Sequence, residues 1–340
     1  MVEQKQASGL QTARPSSSRA GVVVIGRNEG LRLERCLTSL RSCGVPIVYV
    51  DSGSVDNSVA LARRFNCEVL ELDRRLPFTA ARARNAGFER LSQLIEADYV
   101  QFIDGDCEIA VDWIQKAIQF LDAHPKIAVV CGRRREKCPH VSIFNRLCDV
   151  EWNTPVGEAK GCGGDALIRV EAFLEVGGYQ PDLIAAEDTE LCVRMRASRW
   201  HIWRLDSEMT LHDAAMTRIS QWWRRSERTG YAFALGVHLH GSPPERHFVR
   251  EARRALLWGL FLPALCLLVV LTVRPWGWLL FLLFPLQIAR LTIKRREGTL
   301  TERFLVATFY VFGRLPEAVG EVRFYLDKIA SRRGAIIEYK

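Results

Sequence analysis

The sequence predicts an α/β fold, a mostly parallel sheet with flanking helices, followed by C-terminal membrane helices. Three observations carry that reading. Apolar runs of strand length alternate with helical patterns from residue 21 to about 205. The first two runs, Val22–Ile25 and Ile47–Val50, are β-branched and close on Gly, Asn, Asp or Ser, as strands do where they deliver ligand loops to a sheet's carboxyl edge. Ala255–Val273 then holds nineteen consecutive residues without a charge, enough at helical rise to cross the roughly 30 Å core of a bilayer.

The first twenty residues carry almost no large apolar group and read as a disordered lead-in, 1–20. Val22–Ile25 is the first strand, and Leu31, Leu33, Leu37 and Leu40 follow at near-helical spacing. Ile47–Val50 is the second strand, Glu68–Leu72 the third and Asp98–Ile103 the fourth, with helical stretches near 56–66, 79–96 and 111–123. Strand–helix repetition of this kind argues for a parallel sheet wrapped by helices, assigned to one domain over 21–245.

The next segment, 246–297, reads as a transmembrane or re-entrant helical hairpin. Arg246, Arg250, Arg253 and Arg254 precede the first apolar run, and Arg290, Lys294, Arg295 and Arg296 follow the second. Both basic flanks then face the cytoplasm, with the turn at Arg274-Pro275-Trp276. The second run, Trp276–Ala289, has only fourteen uncharged residues and contains Pro285, so a re-entrant path stays open beside a full span. Residues 298–340 complete the chain; from Phe304 to Ile329 apolar and charged residues mix as in an amphipathic interfacial helix.

Composition narrows the function classes. Of the 340 residues 48% are apolar, 25% charged and 9% aromatic, which excludes a disordered chain. The formal charge of +8 suits nucleotides, anionic lipid or nucleic acid. Dispersed arginines without a recognition motif set nucleic acid aside. Ten cysteines occur with no C-x-x-C spacing, so they read as reduced thiols and not as a metal cage.

The chemistry-bearing residues sit where strands end. Phe102-Ile103 delivers Asp104-Gly105-Asp106, two carboxylates of the kind a hard divalent cation takes while keeping water and substrate phosphates as its other ligands. An Asp-Gly-Asp sequence alone also makes a plain turn. Asp51-Ser52-Gly53-Ser54, with Asp56 behind, closes the second strand and offers a carboxylate to a base or ribose, or caps the next helix. Arg82 and Arg84 open the helix that also carries Asn85 and Gly87, and supply guanidinium donors. Gly161-Cys162-Gly163-Gly164-Asp165 is a flexible loop. In Ala186-Glu187-Asp188, one carboxylate can serve as a general base or simply favour the start of a helix. His212 offers an imidazole, as a structural hydrogen-bonding group or a metal ligand.

The succession Asn28-Glu29, Asp51-x-Gly-Ser with Asp56, Arg82-x-x-Asn85-x-Gly87, Asp104-Gly-Asp106, Gly163-Gly164, Gly177-Gly178-Tyr179 and Glu187-Asp188 resembles the family 2 glycosyltransferases over about 21–215. The membrane tail resembles that of the exopolysaccharide-type members. The resemblance implies a GT-A fold and inverting, single-displacement transfer from a nucleotide sugar, with Mg²⁺ or Mn²⁺ as cofactor. It implies donor contacts at Asn28, Glu29, Asp51, Arg82, Asn85, Asp104, Gly163 and Gly164, a metal held by Asp104, Asp106 and His212, and Asp188 as the base. A UDP-sugar heads the donor candidates. Processive members resemble Q-x-x-R-W near the membrane; this chain reads Gln221-Trp222-Trp223-Arg224-Arg225, without the Trp after the Arg. That departure favours transfer of one sugar over polymerisation.

The implied enzyme is a hexosyltransferase-type transferase at the inner, cytoplasmic membrane. Its catalytic domain faces the cytoplasm, and its acceptor is a lipid-linked or saccharide molecule in polysaccharide or glycolipid synthesis. Two rivals stand beside it: a polyprenyl-phosphate glycosyltransferase, and an inactive membrane-bound nucleotide-sugar binder.

Overall fold

The computed structural model describes residues 19–273 and 276–330; most of the expected lead-in, the Arg274-Pro275 turn and the last ten residues lie outside these. The strands are β1 (Ala20–Gly26), β2 (Ile47–Asp51), β3 (Glu68–Glu71), β4 (Tyr99–Asp104), β5 (Cys107–Ile109), β6 (Ile127–Glu136), β7 (Gly157–Ala159), β8 (Ala166–Arg169) and β9 (His201–His212). They form one nine-stranded sheet in the order β3-β2-β1-β4-β8-β6-β9-β5, with β7 also on β9.

Residues 20–104 follow the parallel pattern that the sequence predicts. β1 pairs in parallel with β2 and β4, and β2 with β3. The central strands are buried on both faces, which is why Val22–Val24 and Val48–Val50 read as unbroken apolar runs. Beyond β4 the sheet is mixed. β8 runs antiparallel to β4 and β6, and β5 and β7 run antiparallel to β9, while β6 and β9 are parallel. The sheet is therefore mixed as a whole, its parallel part confined to β1–β4 and the β6–β9 pair.

The helices of this domain are α1 (Leu31–Leu40), α2 (Ser58–Arg64), α3 (Ala80–Leu94), α4 (Trp113–Ala123), α5 (Ile143–Glu151), α6 (Val170–Glu175) and α7 (Glu187–Ala197). A second tier follows. Its members are α8 (Ile219–His240), α9 (Val249–Thr272), α10 (Leu283–Lys294), α11 (Leu300–Phe312) and α12 (Arg314–Ile329).

Two helices, Val249–Thr272 and Gly277–Lys294, are long and apolar enough to cross a membrane by length and composition. Their large side chains point outward: Phe261 is 60% exposed and Leu271 69%. Side chains this exposed are not packed as in a core helix. α9 widens into a π turn at Leu257–Phe261. Pro263 has no amide to bond the carbonyl of Gly259, and the helical register slips just before it.

The stretch expected as one interfacial helix over 304–329 is instead two, α11 and α12, meeting at Gly313. α12 does not simply lie on a surface. It buries Pro316, Ala318, Gly320, Glu321 and Phe324. It also approaches α8 so closely that a Cβ at Gly230 would lie 1.8 Å from the carbonyl oxygen of Glu317.

Candidate active site

Strand register assembles the site. Gly26 at the end of β1 sits opposite Asp51, and Ile25 opposite Asp104, so the two carboxylate-bearing strand ends flank β1. Asn28, with a left-handed φ of 57°, laces the first two loops together. Its amide donates to Ser54 Oγ at 2.9 Å, and its Oδ1 accepts from the Val55 amide at 2.8 Å. Glu29 pairs with Arg32 at 2.9 Å, and its Cγ lies against Gly26 and Gly105.

Several residues expected at the donor hold the protein's own backbone. Asp51, 1% exposed, accepts from the amides of Gly53 at 2.9 Å and Ser54 at 2.8 Å and from the Tyr49 hydroxyl at 3.1 Å. It shapes the loop as an Asx turn does. Arg82 donates to the carbonyls of Asp73, Leu76 and Pro77, bracing the loop before α3. Asn85 donates to the Tyr179 carbonyl at 2.7 Å and accepts from the Tyr179 amide at 2.9 Å, fixing the Gly177-Gly178 turn.

The residue that ties the site together is one the motif reading passed over. Arg84, 3% exposed, donates to Asp104 Oδ1 at 2.8 Å and Glu187 Oε1 at 2.7 Å, and lies over the Tyr179 ring. It thereby joins the end of β4 to the start of α7. Arg84 has a sequence signal: Gly87 and Leu91 follow at i+3 and i+7, so all three share the buried face of α3 while Arg82 does not. Asp165, fully buried, was also not among the expected site residues. Its oxygens take the Asp104 amide at 3.0 Å, the Thr210 hydroxyl at 2.9 Å and the Arg134 guanidinium at 2.7 Å. Gly164 serves this network, since a Cβ there would meet the Arg84 guanidinium, while Gly163 faces the cavity at ordinary contact distance from Arg134.

Asp106 and His212 are brought together by the β5–β9 ladder, in which Cys107 faces His212. Both are buried, with His212 Nε2 3.4 Å from Asp106 Oδ2. His212 Nδ1 has no hydrogen-bond partner, the nearest acid being Glu136 at 4.0 Å. Glu136, also missed in the sequence, accepts from the amides of Cys138 and Ala214 and from Asn145. A buried carboxylate facing an imidazole suits a divalent cation, and Asp106, Cys107 and His212 place one donor atom each within 4.8 Å of one another. Asp104 falls in a second such group, with Cys107 and Asp165, and its carboxylate also faces Arg84 at 2.8 Å and Arg134 at 3.7 Å.

Asp188 lines a cavity of about 850 Å³ together with Arg134, Trp152, Cys162, Gly163 and Asp165. Burial, reinforced by the neighbouring Glu187 and offset by Arg84, pushes its carboxyl up to about 6. A carboxylate so placed is ionised at neutral pH yet holds a proton well, as a general base requires. Neither Asp106 nor His212 lines this cavity. All ten cysteines are free in this structure, and Cys162 Sγ lies 3.7 Å from Cys192 Sγ.

Residues 21–160 match the family described as Glycosyl transferase family 2. The succinoglycan biosynthesis protein ExoA of Rhizobium meliloti is 25% identical over 230 residues, 62% of this chain and 67% of that protein. The pre-mycofactocin glycosyltransferase of Mycobacterium tuberculosis is 27% identical over 200 residues, 53% of this chain and 40% of that protein. Among solved structures, the mannosyltransferase PcManGT of Pyrobaculum calidifontis, in complex with GDP-Man and Mn²⁺, superposes with a TM-score of 0.59. It is 19% identical, covers 93% of this chain and 89% of its own, and is similar in fold.

Proposed function

We propose, for a chain that carries a family 2 glycosyltransferase domain of GT-A fold, that it transfers one sugar with inversion from a nucleotide sugar to a lipid-linked saccharide. The observation that carries this is Asp188: a carboxylate with raised proton affinity facing a cavity large enough for a sugar acceptor. Asp188 takes the proton of the acceptor hydroxyl, whose oxygen attacks the anomeric carbon. The bond from that carbon to the donor diphosphate breaks, and its electron pair leaves with the phosphate oxygen. One displacement inverts the configuration.

Asp106 and His212 would hold a divalent cation, Mg²⁺ or Mn²⁺, which supplies neutralisation of the leaving diphosphate's charge. Arg84 keeps Asp104 and Glu187 in fixed relation, and so sets the start of α7, on which Asp188 stands, against the end of β4. Asn28, Asp51, Arg82 and Asn85 support the donor by holding its loops in shape. Asp104, Glu29, Gly163 and Gly164 line or underlie the approach to it.

The binding of GDP-Man and Mn²⁺ by the similarly folded mannosyltransferase supports a nucleotide-sugar donor and a divalent ion. A UDP-sugar remains our first donor candidate. The outward-facing apolar side chains of α9 and α10, and the likeness to a succinoglycan biosynthesis protein, support attachment to a membrane through residues 246–297, and the basic flanks of that segment favour the cytoplasmic side of the inner membrane.

A screen of nucleotide sugars with the purified full chain in detergent tests the reading. One donor should turn over in the presence of Mg²⁺ or Mn²⁺, and Asp188→Asn should bind that donor but not turn it over. Undiminished turnover in Asp188→Asn would overturn it.

A further inference from the structure

Two thiols from different parts of the chain meet beside Asp188. Cys162 Sγ lies 3.7 Å from Cys192 Sγ. Cys192 is buried on α7 at i+4 from Asp188, one turn along the same face. Cys162 sits in the loop between β7 and β8 and lines the same cavity as Asp188. That loop already leans on α7, since a Cβ at Gly161 would lie 3.4 Å from Thr189 Cγ2. Cys131, the other thiol of the lining, donates to the Trp203 carbonyl at 3.8 Å instead.

A disulfide needs its sulfurs about 2.05 Å apart, so the pair must close by roughly 1.7 Å. Cys192 is held in the core by its helix, and the movement falls to the loop. Gly161, Gly163 and Gly164 flank Cys162 in irregular backbone, which bends where a strand would not. The shift reaches the site directly. Gly164 packs on Arg84 closer than any side chain could, and Arg84 joins Asp104 to Glu187 at the start of α7. A loop drawn toward Cys192 carries Gly164 with it and disturbs the guanidinium that sets α7 in place.

We propose that Cys162 and Cys192 form a reversible disulfide site through which a low-molecular-weight disulfide of the glutathione type switches the enzyme off. Cys162, the thiol open to the cavity, loses its proton and attacks one sulfur of the small disulfide. The S–S bond there breaks, and its electron pair leaves with the other sulfur as a thiolate. Cys192, deprotonated in turn, attacks Cys162 Sγ in the mixed disulfide and releases the second thiolate. The protein thiols lose two electrons and two protons, and the small disulfide takes up both to become two thiols. In reducing surroundings the pair returns to free thiols, the state of the chain here, and a disulfide formed under such conditions is a transient sensor, not a staple. Contact with Cys192, and then burial, hold the Cys162 thiol up, so it is a reluctant nucleophile and the exchange is read at equilibrium. The bond itself is independent of the proposed activity; its effect on turnover rests on the reading of Asp188 as the base.

The full chain in detergent, equilibrated across a series of glutathione to glutathione disulfide ratios, tests the proposal. Free thiols are blocked with N-ethylmaleimide and the peptides mapped by mass spectrometry, a readout that needs no turnover. At the oxidising end the expected product is a peptide pair joined through Cys162 and Cys192, reversed by dithiothreitol. Donor turnover should fall by about tenfold or more in step with that product and return on reduction. Cys192→Ala, compared with its own reduced form, should neither cross-link nor lose turnover on oxidation. Cys162→Ala, which removes the loop's thiol without touching α7, should behave alike, and Cys131→Ala should respond as the parent does. Absence of the Cys162–Cys192 peptide, with Cys131 joined instead or only a glutathione adduct on Cys162, would overturn the site. A Cys162–Cys192 bond that leaves turnover unchanged would overturn the switch. Full turnover in Asp188→Asn bears on the base alone, because the cross-link is read by mass.

Discussion

Gly164 is the space that Arg84 occupies: a Cβ added at Gly164 would lie 2.1 Å from Nη2 of Arg84. The glycine therefore makes room for a side chain. Arg84 in turn is the bridge between Asp104 and Glu187.

Gly164→Ala should push Arg84 off one or both carboxylates, leaving buried acids without their cation. We expect kcat to fall by about 10²-fold, because a misplaced base costs rate out of proportion to its displacement. Donor affinity should change much less. Steady-state kinetics with donor titration separate the two, and an Ala variant with normal kcat would remove Arg84 from the positioning of α7.

How much of this was legible in the chain depends on what kind of signal each residue sends. β1, β2 and β4 announce themselves because strands buried on both faces are continuous apolar runs. β6 does not: it begins Ile127-Ala-Val-Val and ends in Arg133, Arg134, Arg135 and Glu136, so half of it looks like a polar loop. Without β6 and β9 the antiparallel half of the sheet has no local signature. The Asp106–His212 pairing depends on that half, since it follows from a β5–β9 register spanning about a hundred residues. Short motifs point to Asp104, Asp106, Asp188 and His212, and to Arg82, whereas helical periodicity points to Arg84. Glu136 lies outside any motif and Asp165 only closes the Gly161–Asp165 loop, so tertiary packing alone distinguishes them from surface charges.

The cation site yields the second expectation. Asp106→Ala should abolish metal-dependent donor turnover, and His212→Ala should weaken Mn²⁺ binding measured by paramagnetic resonance in the absence of donor. Glu136→Gln should lower that affinity by about 10–100-fold, acting behind His212 as outer carboxylates do. Full activity in EDTA, with Mn²⁺ binding unaltered in all three variants, would remove the site.

Asp188 sets the acid limb of the pH profile. Its carboxyl is pushed up to about 6, and a base works only when deprotonated, so kcat should rise with pH through about 6 and level off above. Asp188→Asn should erase that limb and lower kcat by about 10²–10⁴-fold while sparing donor affinity. A profile in the Asn variant with the same limb at reduced height would assign the titration to another group. Because a raised carboxyl favours the protonated fold, the Asn variant should also melt higher than the parent at pH 8.

The last expectation concerns the seam between α8 and α12, where Gly320 and Gly230 let the two backbones touch. Glu321 is 1% exposed there, and neither of its oxygens has a hydrogen-bond partner. Burial, with Glu317 nearby, pushes its carboxyl up to about 8, and Glu317 itself, although paired with Arg314 at 2.6 Å, is pushed up to about 7. In the unfolded chain both return to the ordinary glutamate range, so between roughly pH 4.5 and 8 the folded chain holds protons that the unfolded chain has released. Stability should therefore be greatest at the acid end of that window and decline as pH rises through about 8. Glu321→Gln keeps the shape and removes the titration. Its melting temperature should fall less than the parent's between pH 5.5 and 8.5 and should exceed the parent's at pH 8.5 by a few degrees. Glu317→Gln should flatten part of the remaining slope, and the double variant most of it. Thermal scans of the full chain in one detergent across that range decide the matter: a double variant with the parent's slope would show that the seam holds its carboxylates ionised and paired, not neutral.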